Sequence, residues 1–171
     1  MGTVELCTTT ATSQLVINQA IHIAGGNFTS VTIGCEGQSS SDSVDPGCAI
    51  NKEMDGGFVV GDRSSGASIG FVFENIVVTE DSNASQADVA FISAGVIDSP
   101  LSITNCKFEN FTSSDAYVID ILQSGTTHLQ VDQTMFLNND FGAINFASLS
   151  GGGAGSISIM HSHFIGIYIY I

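Results

Sequence analysis

Leu101-Ser-Ile-Thr-Asn-Cys-Lys-Phe108, Leu129-Gln-Val-Asp-Gln-Thr-Met-Phe136 and Ile157-Ser-Ile-Met-His-Ser-His-Phe164 are three versions of one eight-residue unit, each 28 residues after the last. A looser copy, Phe71-Val-Phe-Glu-Asn-Ile-Val-Val78, stands 30 residues upstream of the first. A step of that size is one structural unit repeated, and no single unit can bury its own apolar side without neighbours above and below. Within each copy the first and third residues are apolar and the second is variable, the alternation of a strand with one inward face. A polar residue then breaks the phase at Asn75, Asn105, Gln133 and His161, after which the sixth and eighth residues turn inward. The unit therefore reads strand, bend, strand. Phe108, Phe136 and Phe164 form its core ladder, and the corner amides are placed to bridge successive turns.

Working outward, a third apolar run precedes each later unit, at residues 88–92, 117–121 and 141–146. The chain is thus expected to be all-β, a solenoid of three-strand coils. Upstream, Leu15-Val-Ile17, Ile21-His-Ile23, Val31-Thr-Ile33, Cys48-Ala-Ile50 and Phe58-Val-Val60 read as earlier coils. We expect one domain over residues 1–171, with irregular coils over 1–66 and regular ones over 67–171. Val4-Glu-Leu-Cys7 resembles Val31-Thr-Ile-Gly-Cys35, one coil later. Ile167-Tyr-Ile-Tyr-Ile171 reads as the opening of another coil, so the expectation is a fragment of a longer solenoid, with end-to-end or edge association at its C-terminal coil.

Lys52, Arg63 and Lys107 are the only Lys and Arg residues, and the formal net charge is −14. Nucleic-acid binding rests on Lys and Arg neutralising phosphates, so no nucleic-acid partner is expected. Polyuronates meet the same repulsion unless a divalent cation bridges them. No apolar stretch approaches the length of a membrane-spanning helix, so this segment is expected not to insert in a membrane. The first residues lack the basic and apolar regions of a secretion signal, and the true start is expected upstream.

Cys35 and Cys48 bracket a polar loop with turn residues at both ends, and a disulfide there fits an oxidising compartment. Cys7 competes for the same partners. Cys106 falls at an inward position and reads as a small core thiol. Asn27-Phe-Thr, Asn83-Ala-Ser and Asn110-Phe-Thr match the N-glycosylation acceptor pattern. The expected location is therefore secreted or cell-surface.

These residues resemble right-handed parallel β-helix proteins of the pectin-lyase-like superfamily, and within it proteins related to polymorphic outer-membrane proteins. Thr32-Ile-Gly-Cys35 with Cys48-Ala-Ile50 is similar to the opening coils of that group. The corner Asn105-Cys-Lys-Phe-Glu-Asn110, and Phe136-Leu-Asn-Asn139 followed by Gly142-Ala-Ile144, resemble its Phe-x-x-Asn and Gly-Gly-Ala-Ile repeats, with Phe141 in place of the first Gly. The likeness spans nearly the whole chain and concerns the fold. Enzymes of the superfamily cleave polysaccharides, but the Gly-His-Gly and Arg-Ile-Lys motifs of polygalacturonase-like members are absent. Arg63, the one Arg, lies outside the regular coils, whereas lyase-like members use Arg as the base.

For carboxylate catalysis, which needs two acids at one cleft, the candidates are Asp120 and Asp132, read as outward residues of neighbouring strands, with Asp88, Asp140 and Glu109 in nearby turns. Asp120, Asp132 and Asp140 are also the candidates for a bound calcium ion, which takes several oxygen ligands. No other cofactor is implied. His161-Ser-His163 is the one spacing that suits a transition metal, while His22 and His128 stand alone. The outward stack Val72, Ser102, Gln130, Ser158 is too irregular for an ice-binding array. The function expected is non-catalytic, a surface β-helix presenting a lateral face for adhesion or for binding glycans or proteins. The alternative is a polysaccharide-degrading glycoside hydrolase or lyase.

Overall fold

A computed structural model describes residues 2–5, 15–23, 30–35, 48–53, 55–60, 70–80, 89–95, 100–112, 116–123, 128–148 and 155–166. Cys7, Asn27, Arg63, Asn83, Asp88 and residues 167–171 lie outside them. The first coil contributes β1 (Gly2–Glu5), β2 (Leu15–Ile17) and β3 (Ala20–Ile23). The second contributes β4 (Ser30–Gly34), β5 (Cys48–Lys52) and β6 (Gly57–Val60), and the third β7 (Gly70–Glu74), β8 (Ile76–Glu80) and β9 (Ile92–Gly95). Then come β10 (Leu101–Thr104), β11 (Lys107–Glu109) and β12 (Ile119–Gln123), followed by β13 (His128–Asp132), β14 (Met135–Leu137) and β15 (Ile144–Ser148). A sixth coil carries β16 (Ser156–Met160) and β17 (His163–Ile165). The described residues contain no helix.

Every strand pairs in parallel with its counterpart one coil away. The first sheet runs β1-β4-β7-β10-β13-β16, the second β2-β5-β8-β11-β14-β17 and the third β3-β6-β9-β12-β15. This is a parallel β-helix. The strands of the first two coils join the same three sheets in the same order as the later ones.

The register is what the repeat requires. Phe71, Leu101, Leu129 and Ile157 align, as do Phe73, Ile103, Val131 and Ile159. Phe108 pairs with Phe136 and Phe136 with Phe164. Their rings stack nearly parallel, with centroids 5.2 Å apart at 18° and 4.8 Å apart at 10°. Coils 4.7–4.9 Å apart set that separation, so an aromatic at one inward position invites an aromatic above it. Phe91 and Phe111 pack edge-on or tilted against the ladder and complete an apolar interior.

In the four later coils the first bend is one residue in the left-handed conformation: Asn75 (φ 58°), Asn105 (φ 52°), Gln133 (φ 49°) and His161 (φ 46°). Asn is the side chain best tolerated there after Gly, and the amides earn their place by bridging coils. The Asn105 amide donates to the Asn75 side-chain carbonyl at 2.7 Å, and the Asn75 amide donates to the Cys35 carbonyl at 2.9 Å. Asn110, Asn138 and Gly166 adopt the same conformation at the second bend. There the buried Asn139 accepts from the Phe111 N–H at 3.1 Å and donates to the Phe108 carbonyl at 3.3 Å, tying two coils together.

Two local expectations are corrected. The third strand of each coil starts later than its apolar run, because two successive inward residues mark a bend first. Phe91 and Ile92, Val118 and Ile119, and Ala143 and Ile144 are all buried, and alternation resumes only after them. In the first coil Val4 aligns with Ile33, not Val31, a shift of two residues. A two-residue shift keeps the same side chains inward, so the pattern alone does not discriminate between the two registers.

Candidate binding face

The first sheet presents an outer surface whose rows are fixed by the register. Along its middle run Thr32, Val72, Ser102, Gln130 and Ser158. Beside them, next to the bend, run Gly34, Glu74, Thr104, Asp132 and Met160. Gly34 is obligatory, since a β-carbon there would lie 2.1 Å from the Glu74 carbonyl oxygen. At the other margin His128 stands beside Ser156.

The side chains on this face hold one another across coils. His128 Nδ1 and the Ser156 hydroxyl of the next coil are 2.5 Å apart, while the Ser102 and Thr104 hydroxyls meet within β10 at 3.4 Å. The corner residue His161 reaches back so that its Nδ1 is 2.9 Å from Asp132 Oδ1. The imidazole is 75% exposed and the carboxylate 24%. With Nδ1 engaged, Nε2 is the nitrogen left to meet a ligand.

Asp120 and Asp132 both point outward, but they are not neighbours. Asp120 lies on β12 in the third sheet, where Asn145 donates to it at 2.8 Å, whereas Asp132 ends β13 in the first. Asp140 lies in the turn after β14, its N–H bonded to the Phe111 carbonyl at 2.8 Å. The three carboxylates expected to share a calcium ion therefore occupy two different sheets and a turn. Successive strands of a coil belong to different sheets, so closeness in sequence separates side chains here. Glu109 is in β11 rather than a turn, 2.6 Å from Lys107. His161 and His163 are parted by the bend, the first against Asp132 and the second outward on β17. Among the described residues no group of three or more His, Cys, Asp or Glu side chains is placed to hold a metal ion.

The disulfide joins Cys35 and Cys48. Since Gly34 aligns with Glu74 and Cys48 with Ile76, Cys35 stands where other coils have their corner residue. The bridge thus closes the bend of the second coil, where residues 35–47, 13 in all, replace the single one used in the four later coils. Cys106 is a buried free cysteine whose thiol donates to the Phe73 and Thr104 carbonyls. Desolvation pushes its pKa up to about 12.

Sequence reasoning missed a buried ion pair. Lys52 and Glu80, both on the second sheet, are 2.9 Å apart with side chains 0% and 2% exposed. Glu80 also accepts from the Thr112 N–H at 2.6 Å and lies 3.2 Å from the Thr112 hydroxyl. A signal was present: the two residues are 28 apart, the step of the repeat itself. Both lysines of the described residues are thus engaged by glutamates, and the outer faces carry their carboxylates without a free Lys beside them. No helix of the described residues is long and apolar enough to cross a membrane.

Comparison with known proteins returned no family model, no curated relative and no solved structure that matches this chain.

Proposed function

We propose that this chain is a non-catalytic, secreted or cell-surface β-helix that binds glycans or proteins through the outer face of its first sheet. One observation carries this reading: hydroxyl, amide, imidazole and carboxylate groups stand in register, row by row, on a hydrogen-bonded surface, repeating at the strand spacing. Repeat architectures commonly use such extended surfaces for recognition. A chain of hydroxyl-bearing units can lie along rows of that kind, trading hydrogen bonds at each step. The disulfide supports an oxidising compartment. A place in the pectin-lyase-like superfamily belongs to the same proposal and is supported by the coil architecture.

The net charge of −14 narrows the partner. Neutral glycans and basic protein segments suit this surface, whereas anionic chains require a divalent cation between them and it. The second reading, a polysaccharide-degrading enzyme, draws on Asp132 and His161, a carboxylate and an imidazole in contact on the exposed face. The test is a panel of neutral and acidic polysaccharides and surface proteins, with and without calcium. Binding is followed beside the release of reducing ends and unsaturated products. Binding without product, weakened by Asp132→Asn and His161→Ala, is the expected result. Product that disappears in either variant establishes the enzyme instead.

A further inference from the structure

We infer that Asn110 is an N-glycan acceptor whose modification is confined to the chain before its coil closes. The inference rests on the extracellular reading above and adds a modification site and its timing. The acceptor side chain is well placed: Asn110 is an exposed corner residue at the second bend, in the left-handed conformation with φ 61°. A glycan on it projects from the edge between the second and third sheets and leaves the first-sheet face uncovered.

The other half of the acceptor pattern is occupied by the fold. The hydroxyl at the second position after Asn is required by the transferase, and that residue is Thr112. Its hydroxyl lies 3.2 Å from Glu80 Oε2, and its N–H donates to the same oxygen at 2.6 Å. Glu80 is itself held by the buried Lys52. The intervening Phe111 is 4% exposed, with its N–H on Asn139, and the Asn110 N–H is bonded to the Leu137 carbonyl at 3.0 Å. Three consecutive backbone N–H groups are thus tied down. A transferase needs the acceptor amide and the hydroxyl together in an accessible stretch, and the closed coil withholds it.

In the reaction the Asn110 side-chain nitrogen attacks the anomeric carbon of an oligosaccharide carried on a lipid pyrophosphate. The carbon–nitrogen bond forms as the bond to the pyrophosphate oxygen breaks. The lipid pyrophosphate leaves, and the amide nitrogen gives up one proton.

The chain is expressed with a secretory leader in a eukaryotic cell, and the secreted product is weighed before and after peptide-N-glycosidase. Release of a glycan mapped to Asn110 is expected, absent in Asn110→Gln and Thr112→Val and kept in Thr112→Ser. Asn110→Gln tests the acceptor without disturbing the bend, because Gln133 shows glutamine in the left-handed conformation at φ 49°. A secreted, disulfide-bonded chain with unmodified Asn110 overturns the inference and leaves the extracellular reading standing. Retention with Cys35 and Cys48 reduced overturns that reading. For the timing, unglycosylated protein is offered to purified oligosaccharyltransferase folded or urea-unfolded and diluted. The unfolded form is expected to be modified at least ~10-fold faster, because reaction tracks the open population. Equal rates overturn the timing.

Discussion

The side-chain amide of Asn75 donates to the backbone carbonyl of Cys35 at 2.9 Å, one coil away. Those two residues hold equivalent corner positions, one turned by a left-handed asparagine and the other by a disulfide. The corner ladder runs from Asn105 through Asn75 and ends on the cystine. The disulfide therefore closes a long excursion at the level where the four later coils turn on one residue.

Removal of that closure has a measurable cost. Replacing Cys35 and Cys48 together by serine is expected to lower stability by roughly 3 kcal/mol, the loop-closure value for a span of this length. Urea titration of the variant beside the oxidised parent checks it. A loss under about 0.5 kcal/mol, the range of ordinary surface changes, would mean that the ladder holds the corner without the bridge.

The phenylalanine ladder should weaken most at its centre. Phe136 is fully buried between two stacked rings, whereas Phe164 is partly buried at the last described coil. Phe136→Ala is expected to cost about 3–5 kcal/mol and Phe164→Ala clearly less. Chemical denaturation of both variants reads the difference, and equal losses would contradict the gradient of burial.

The buried Lys52–Glu80 pair should be intolerant of halving and tolerant of joint replacement. Glu80→Ala leaves the Lys52 ammonium without its carboxylate and is expected to cost about 3–5 kcal/mol. Lys52→Met with Glu80→Gln removes both charges and keeps an acceptor for Thr112, so most of that loss should return. A double-mutant cycle in denaturant measures the recovery, and additive losses would show that the two side chains act independently.

Cys106 links stability to alkaline pH. Its pKa rises from 9.0 to about 12 on folding, chiefly through desolvation by burial. Below the unfolded value both states hold the proton and the thiol adds no pH dependence. Between the two values the unfolded state sheds the proton first, so stability falls by about 1.4 kcal/mol per pH unit. Denaturation midpoints of the parent and of Cys106→Ala above the unfolded value should converge as pH rises. Iodoacetamide should label this thiol only as the chain unfolds. Rapid native labelling would place the thiol at the surface.

How much was legible follows from particular residues. The positions joined by the 28-residue step, Phe108 to Phe136 to Phe164 and Leu101 to Leu129 to Ile157, became neighbours because a solenoid converts one sequence interval into one spatial step. The Cys35–Cys48 pairing was visible because Cys35 directly follows β4 and Cys48 opens β5, so the two flank one bend. Less legible were the starts of the third strands, where two inward residues in a row conceal a corner within an apolar run. The candidate site was only half visible. Asp132 and His161 were both noted, but their contact joins a strand end to the corner of the next coil, 29 residues on. No composition or spacing rule announces that contact.

Periodicity by itself determined that the backbone coils, which side chains enter the core and which residues turn the corners, because hydrophobic burial in a repeating coil is a local demand met again at each turn. Which polar groups meet was decided only in three dimensions. Asp120 and Asp132, twelve apart in the chain, were sent to different sheets, while Lys52 found Glu80 and Asp132 found His161. Hydrogen bonds and ion pairs depend on distance and angle between individual atoms, and those are set by how the coils stack.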